Sequence, residues 1–154
     1  MKNCVFCKII AGELGADKVY EDDLVVAVLD IAPLVKGHAL IIPKQHHNSL
    51  TTLPADAAAR MMKVAPKVAM ALVREVDGDG FNLMLANGSC AGQVVPHVHL
   101  HVLPRHPEDG LVLPARTVEY ESAAEKAELL EQARARLSLH RPSSSGDRSH
   151  AAQI

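Results

Sequence analysis

Two kinds of hydrophobic periodicity divide the chain into predicted strands and predicted helices. Short apolar runs bounded by Gly, Pro or Asp predict strands, which cover residues 18–21, 24–30, 37–43, 81–87 and 97–103. Between the third and fourth strands, apolar residues recur every three or four positions and predict a long helix over 54–76. The residues of this stripe are Ala57, Met61, Val64, Val68 and Leu72. Pro66 lies within the run and predicts a bend or the first turn of a helix.

A second helix is predicted at 122–139, where Glu, Ala, Lys and Leu dominate. The residues after it, 140–154, are mostly polar and have little to bury, so they predict a disordered tail. Short loops join most of the strands, and there is one long helical excursion. This order is typical of an α+β fold with a five-stranded antiparallel sheet, one long helix and one C-terminal helix, rather than a series of βαβ units.

Composition limits the classes of function. The chain has 154 residues, which suits one domain, and 48% of them are hydrophobic. Sixteen Lys and Arg against 18 Asp and Glu leave a formal charge of −2, so we expect neither a nucleic-acid partner nor an anionic membrane surface. The longest apolar run, 24–29, is far shorter than the roughly 18 residues of a membrane span, and the first residues lack a signal-peptide pattern. We therefore expect a cytoplasmic protein.

Histidine is the unusual residue of this chain, and three histidines alternate along the last predicted strand. Nine are present, and seven of them lie between His38 and His106. Because strand side chains change face at each step, His97, His99 and His101 share one face and the residues between them face the core. Alternating polar residues can simply cover a solvated strand face. Three successive side chains on one face of the strand that all titrate near neutrality favour a functional site instead.

Two kinds of chemistry suit these histidines. One zinc ion cannot bind all three, because His97 and His101 lie about 13 Å apart at Cα in a strand, although two of them could share an ion. The full set suits a row of hydrogen-bonding groups along an extended anionic substrate. It also suits nucleophilic catalysis, in which a neutral imidazole attacks phosphorus while its neighbours hold the phosphate oxygens.

The pair Cys4-x-x-Cys7 predicts a metal or redox site near the start of the chain. Its spacing fits one zinc ion, and a closed structural zinc site needs two further ligands. A redox pair is the alternative, but nothing around it resembles a thioredoxin strand and helix. We therefore favour zinc. The third cysteine, Cys90, is interpreted as a small filler or a free thiol.

These motifs together resemble the histidine-triad (HIT) family, and within it the small bacterial Hint-like members with an N-terminal CxxC. The triad His-φ-His-φ-His-φ-φ stands whole at 97–103, with Gly92-Gln93 before it and Pro104-Arg105 after it. Other segments follow in the family's order at 4–10, 29–31, 37–38, 42–44, 80–82 and 87–88. The resemblance extends from about Cys4 to Arg105.

The resemblance implies a HIT domain over 1–139 whose five-stranded sheet pairs in a homodimer to form ten strands. It implies a nucleoside phosphoramidase or nucleotidyl hydrolase that acts on the α-phosphate of purine nucleotide conjugates through a nucleotidyl-histidine intermediate. A dinucleoside polyphosphate hydrolase with the same nucleophile is one alternative. A nucleotide-binding regulatory protein with incidental hydrolysis is the other.

Residue roles follow by position. His99 resembles the nucleophile, His101 a contact of the phosphate and leaving group, and His38 an added member of the histidine cluster. Nucleotide contacts are implied for Asp30, Ile31, Asn87, Gln93 and Val94. From the residues alone, Asp30 could instead cap a turn before Ala32-Pro33, and Asn87 could be a left-handed turn residue before Gly88.

The resemblance also implies a structural Cys2His2 zinc site formed by Cys4, Cys7, His46 and His97, with His47 as a competitor of its neighbour. Two departures from the family stand out. Val94 occupies a position where many relatives carry a hydroxyl that assists the leaving group. The chain has no Trp, so the C-terminal aromatic residue of some relatives has no counterpart.

Overall fold

The computed structural model describes residues 3–112 and 117–138, and its contacts divide the chain into two units, Met1–Val112 and Leu113–Ile154. The strands of the first unit are β1 (Lys18–Glu21), β2 (Val25–Leu29), β3 (Ala39–Pro43), β4 (Gly80–Met84) and β5 (Leu100–Arg105). Its helices are α1 (Val5–Ile10) and α2 (Ala55–Glu75), and 3₁₀ turns cover Leu50–Thr52 and Ser89–Ala91. The second unit contains α3 (Ala123–Ser138), in which the Ser122 hydroxyl accepts a hydrogen bond from the Glu125 N–H.

The predicted α+β class and the five-stranded antiparallel sheet are confirmed. The strand order is β1-β2-β3-β5-β4, so β1 and β4 form the edges. The largest errors in the predicted bounds are at two strand ends, because β4 ends at Met84 rather than at 87 and β5 begins at Leu100 rather than at 97. α1 was not predicted. The single domain over 1–139 and the pairing of two copies stay predictions, and the predicted tail at 140–154 lies outside the described residues.

The core consists of two apolar layers, one on each face of the sheet. One layer lies between the sheet and α2, and it includes Val25, Ala27, Ile41, Leu100 and Val102. The other lies under α1, where Phe6 and Ile9 pack against Val26, Val28, Leu40 and Ile42. Because β2 and β3 are covered on both faces, they are continuous apolar runs rather than alternating ones.

α2 continues through Pro66. The helix is a single element of 21 residues, and Pro66 lies in its interior rather than in its first turn. The proline is on the exposed side of the helix, where water can satisfy the carbonyl that loses its N–H partner. Within the described residues, neither α2 nor any other helix combines the length and the hydropathy that a membrane span requires.

Gly37 occupies a crowded turn just before β3. Its φ is +76°, and a Cβ built there would lie 3.2 Å from Pro104 Cγ and 3.2 Å from Val76 Cγ1. Gly37→Ala should therefore lower the free energy of unfolding by about 2–4 kcal/mol, from the left-handed backbone and the overpacking together. Gly12→Ala is the matched control, since Gly12 has the same φ of +76° with nothing within 4 Å. Urea denaturation measures both variants, and equal losses would show that crowding at Gly37 has no effect.

Candidate functional site

The predicted alternation of the triad is confirmed, although its first two histidines precede the strand. Val98, Leu100 and Val102 enter the core layer under α2. The histidines face the other side, where the Phe6 ring lies 5.8 Å from the His97 ring and 5.1 Å from the His99 ring. The segment before Leu100 leaves the β-ladder because the Val98 N–H donates to the His47 carbonyl oxygen. The histidine face is buried rather than solvated, as His97 is 0% exposed and His99 is 6% exposed.

The ring of His99 is held in one tautomer by the backbone. Its Nδ1 lies 2.7 Å from the carbonyl oxygen of His97. A carbonyl oxygen can only accept a hydrogen bond, so Nδ1 carries the proton and donates. In the neutral ring, Nε2 then keeps its lone pair, and none of the described residues forms a hydrogen bond with that atom. His99 therefore presents a free nucleophilic nitrogen.

His38 and His101 form a hydrogen-bonded chain beside it. The Leu34 N–H donates to His38 Nδ1 over 3.2 Å, so the proton of this ring is on Nε2. His38 Nε2 in turn donates to His101 Nδ1 over 2.8 Å. The His101 proton is therefore on Nε2, available as a donor. Its ring lies 4.9 Å from the His99 ring, centroid to centroid.

Burial keeps the hydrogen-bonded imidazoles of His38 and His101 uncharged. It lowers the pKa of His101 to about 4, and the charges that His99 and His38 would carry when protonated lower it further. Burial also lowers the pKa of His38, although the Asp30 carboxylate opposes this shift. Near neutral pH both imidazoles are uncharged, which is the state that their hydrogen bonds require.

Asp30 caps the turn, as the residues alone allowed, and it also lies beside the histidines, while its nucleotide contact stays a prediction. Its Oδ1 accepts a hydrogen bond from the Ala32 N–H over 2.9 Å, so it caps the turn. Its Oδ2 lies 3.5 Å from His38 Nδ1, so it also borders the histidine chain. Ile31 follows immediately and is 99% exposed. The carboxylate beside His38 is therefore followed in the chain by a fully exposed apolar side chain.

Asn87 is not a left-handed turn residue, because Asp77 is the one non-glycine residue with positive φ among the described residues. Asn87 Oδ1 accepts hydrogen bonds from the Leu50 N–H over 2.7 Å and from the Ser49 hydroxyl over 3.2 Å. None of the described residues accepts a hydrogen bond from Asn87 Nδ2, which is left as a donor at the edge of a groove of about 570 Å³. The groove is lined by Asn48, Ser49, Asn87, Gly88, Ser89, Gln93, Val94 and Pro96.

Gln93 uses both ends of its side chain on the backbone. Its Oε1 accepts from the Gly88 N–H over 2.8 Å, and its Nε2 donates to the carbonyl oxygens of Asn48 and Val95. Val94 is 89% exposed at the same groove. The sequence did not predict Asn48 or the serines of this groove, because they lie in irregular loops that carry no periodic signal.

A second cluster, which we call the metal cluster, consists of Cys4, Cys7, His46 and His97. Its four candidate ligand atoms lie within 4.8 Å of one another. His97 Nδ1 is 3.4 Å from Cys4 Sγ, 3.7 Å from Cys7 Sγ and 3.2 Å from His46 Nδ1. His46 Nδ1 is 3.3 Å from Cys7 Sγ. A tetrahedral zinc ion with ordinary Zn–S and Zn–N bonds places neighbouring ligand atoms about 3.3–3.8 Å apart. The spacings therefore fit zinc, with His46 rather than His47 in the cluster.

The hydrogen bonds around this cluster also favour a cation. His97 Nε2 donates to the Pro43 carbonyl oxygen over 2.9 Å, and His46 Nε2 donates to Asn48 Oδ1 over 2.9 Å. Both Nδ1 atoms consequently turn lone pairs towards each other and towards the thiols, an arrangement that a bound cation stabilises. Burial raises the pKa of the Cys7 thiol, and its hydrogen bond to Cys4 raises it further. Zinc would bind the thiolates of this cluster and fix the chain's start to the triad.

Asp30, His38 and His101 also lie within 4.8 Å of one another, but they suit a metal poorly. His38 turns one nitrogen to Asp30 and the other to His101, so a single ion cannot replace both contacts. The 2.8 Å between the two imidazoles is a made hydrogen bond. These three residues are therefore joined by hydrogen bonds and close ionic contact rather than by a metal ion.

Comparisons with known proteins agree with this geometry. The family model described as the HIT domain matches residues 11–108. The adenylylsulfatase HINT3 of Arabidopsis thaliana is 46% identical over 109 residues, which are 71% of this chain and 55% of the relative. This chain thus spans about half the length of that relative. The adenosine 5'-monophosphoramidase HNT1 of Candida albicans is 34% identical over 137 residues, which are 84% of this chain and 90% of the relative.

The fold recurs in a solved structure that contains zinc. A zinc-bound histidine triad family protein from Mycobacterium smegmatis is 37% identical, with a TM-score of 0.68. The match covers 91% of this chain and 99% of that one. The sheet and helices described above are thus those of a known fold.

The metal cluster yields a test by metal analysis. Protein purified under reducing conditions without chelator should hold about one zinc per chain, because two thiolates and two imidazoles make a closed site. Chelation should lower Tm by several degrees and leave nucleotide binding detectable. Cys7→Ser should lose the metal, and Cys90→Ser is the control that should keep it, since Cys90 is exposed outside the cluster. Absence of zinc from the wild-type protein would contradict the assignment.

The buried histidine chain predicts a loss of stability in acid. The pKa of His101 falls from an ordinary 6.5 to about 4 on folding, so between these values the unfolded chain binds a proton that the folded chain excludes. The free energy of unfolding should therefore decrease as the pH falls from about 6.5 to about 4. His101→Gln should show a flatter decrease of Tm over this window. Parallel curves for both proteins would contradict the shift.

Proposed function

The chain belongs to the HIT family, and on that premise we propose that it is a nucleotide hydrolase that acts at the α-phosphate of purine nucleoside phosphoramidates or related nucleotidyl conjugates. Two relatives support the substrate class, since one is named an adenylylsulfatase and the other an adenosine 5'-monophosphoramidase. Both names describe cleavage at an adenosine phosphate. The groups that face the histidine cluster suit such a substrate.

The observation that carries the proposal is the tautomer of His99. A neutral imidazole attacks phosphorus only through an unprotonated nitrogen, and the hydrogen bond to the His97 carbonyl leaves Nε2 in that state. No general base is then needed to activate it. The His97 carbonyl also stabilises the charge that the ring gains as it attacks.

The proposed reaction has two steps. His99 Nε2 bonds to phosphorus as the bond from phosphorus to the amine breaks, and the amine leaves with a proton taken from solvent, which forms a nucleotidyl-histidine. Water then attacks phosphorus and breaks its bond to His99, so that the hydroxyl stays on the phosphate, the released proton returns to solvent and Nε2 regains its lone pair. His101 Nε2–H is the donor to a phosphate oxygen or to the leaving group, and the hydrogen bond from His38 fixes it in that tautomer.

The remaining contacts are assigned by chemistry. The Asp30 carboxylate is a pure acceptor that suits the two hydroxyl donors of a ribose, and exposed Ile31 offers an apolar surface to a base. The Asn87 Nδ2 donor suits a phosphate oxygen without adding charge. Gln93 acts mainly through the loop that it holds, since both ends of its side chain are engaged with the backbone. Val94 offers no hydrogen bond.

His99→Ala should abolish turnover of an adenosine phosphoramidate, by about a thousandfold or more, while adenosine monophosphate still binds. The nucleophile is lost but the groups around the nucleotide remain. Steady-state kinetics and calorimetry measure the two quantities. Wild-type enzyme quenched in acid-free denaturant should carry a nucleotidyl adduct on His99, which mass spectrometry locates.

His106→Ala is the control, because it removes a histidine from outside the cluster and should keep wild-type rates. Near-normal turnover in His99→Ala, or an adduct on another histidine, would contradict the mechanism. Wild-type rates on a phosphoramidate, a dinucleoside polyphosphate and an acyl adenylate identify the preferred leaving group. Background rates on all three would favour a nucleotide-binding regulatory protein instead.

A further inference from the structure

Asn48 lies where the metal cluster meets the groove. Asn48 is exposed and lines the groove. It contacts the metal cluster with its side chain and the groove loop with its main chain. Its side-chain Oδ1 accepts a hydrogen bond from His46 Nε2 over 2.9 Å. Its main-chain oxygen accepts one from Gln93 Nε2 over 2.8 Å. A single residue therefore joins a metal ligand to the loop that forms the groove.

The side-chain contact fixes the ligand atom of His46. A neutral imidazole binds a metal through the nitrogen that lacks a proton, so the proton must be held on the other nitrogen by an acceptor. For His97 that acceptor is the carbonyl oxygen of Pro43, which no substitution of a side chain removes. For His46 it is the amide oxygen of Asn48. The orientation of His46 thus depends on a side chain that mutation can change.

The main-chain contact holds the groove. Gln93 Oε1 accepts from the Gly88 N–H, and its Nε2 donates to the oxygens of both Asn48 and Val95. The loop from Gly88 to Val95 is therefore fastened to Asn48 through one glutamine. Residues of this loop line the same groove as Asn48 and Asn87.

We propose that Asn48 is a positioning residue that orients the metal ligand His46 and holds the 88–95 loop, so that metal binding tightens the nucleotide groove. The metal half of this proposal rests on the four-residue cluster alone. The groove half rests on the proposed nucleotide function. The coupling is reciprocal, so bound nucleotide should also strengthen zinc binding.

Two substitutions separate the hydrogen bond from the fold. Asn48→Asp keeps an oxygen acceptor for His46, whereas Asn48→Leu keeps the size of the side chain and removes the acceptor. Both keep the main-chain oxygen that binds Gln93. The matched control is Asn82→Leu, which removes an amide oxygen that accepts from Arg105 over 2.6 Å in the sheet. All three variants are compared as full-length protein.

Zinc affinity is measured by competition with a chromophoric chelator, with zinc alone as the ligand. Asn48→Leu should bind zinc about 10- to 100-fold more weakly, as expected for loss of a group that orients a ligand. Asn48→Asp should stay within a few-fold of wild type, and Asn82→Leu should lose Tm without losing zinc affinity. Wild-type affinity in Asn48→Leu, or equal losses in the Leu and Asp variants, would overturn the proposal.

Binding of adenosine monophosphate and the kinetics of a phosphoramidate test the groove half. With subsaturating zinc, Asn48→Leu should raise the nucleotide Kd and KM about fivefold or more, with kcat less changed, and saturating zinc should restore them. Weak zinc binding with unchanged Kd and KM would overturn the coupling. If wild-type protein binds no nucleotide, the proposed function and the coupling both fail, and the zinc competition still decides the role of Asn48 towards His46.

Discussion

The hydrogen bond from His97 Nε2 to the carbonyl oxygen of Pro43 is the contact on which the site depends. It joins the last residue of β3 to the segment that leads into β5, in a place where the imidazole is completely buried. With Nε2 engaged in this way, Nδ1 faces the thiols of the metal cluster. The main-chain oxygen of the same residue sets the tautomer of His99. The first triad histidine thus contacts the metal cluster through its ring and the second histidine through its backbone.

The sequence predicted the sheet well because its strands are short apolar runs with clear boundaries, and it predicted the alternation of the triad from the two-residue period of a strand. It placed the start of β5 too early, since a period of two cannot tell a paired strand from an extended segment whose N–H groups bond elsewhere, as that of Val98 does. α1 has six residues, too few for a helical period to stand out. Its position depends on burying Phe6 beside the histidines, a tertiary effect.

Site residues were predictable to the extent that their chemistry is local. The thiols and imidazoles of the metal cluster could be selected by type and by family resemblance, and the structure brings the selected four together. The roles of Asn87 and Gln93 could not be predicted in the same way, because an amide is chosen as readily to satisfy a loop as to bind a ligand. The two uses are told apart only by the hydrogen-bond partners of the amide oxygen and the amide nitrogen, which the sequence does not give. For Gln93 both ends are engaged with main-chain atoms.

β3 has a consequence for how such a chain can change in length. His38 stands directly before β3 and forms a hydrogen bond with His101. Pro43 ends β3 and accepts a hydrogen bond from His97, a residue of the metal cluster. The five residues from Ala39 to Pro43 therefore set a distance of about 17 Å along the strand between the Cα atoms of His38 and Pro43, each of which contacts a chemically different centre. Deleting one residue would turn the next side chains to the opposite face and misplace both ends at once. Insertions and deletions should accumulate in the flanking loops and spare this strand.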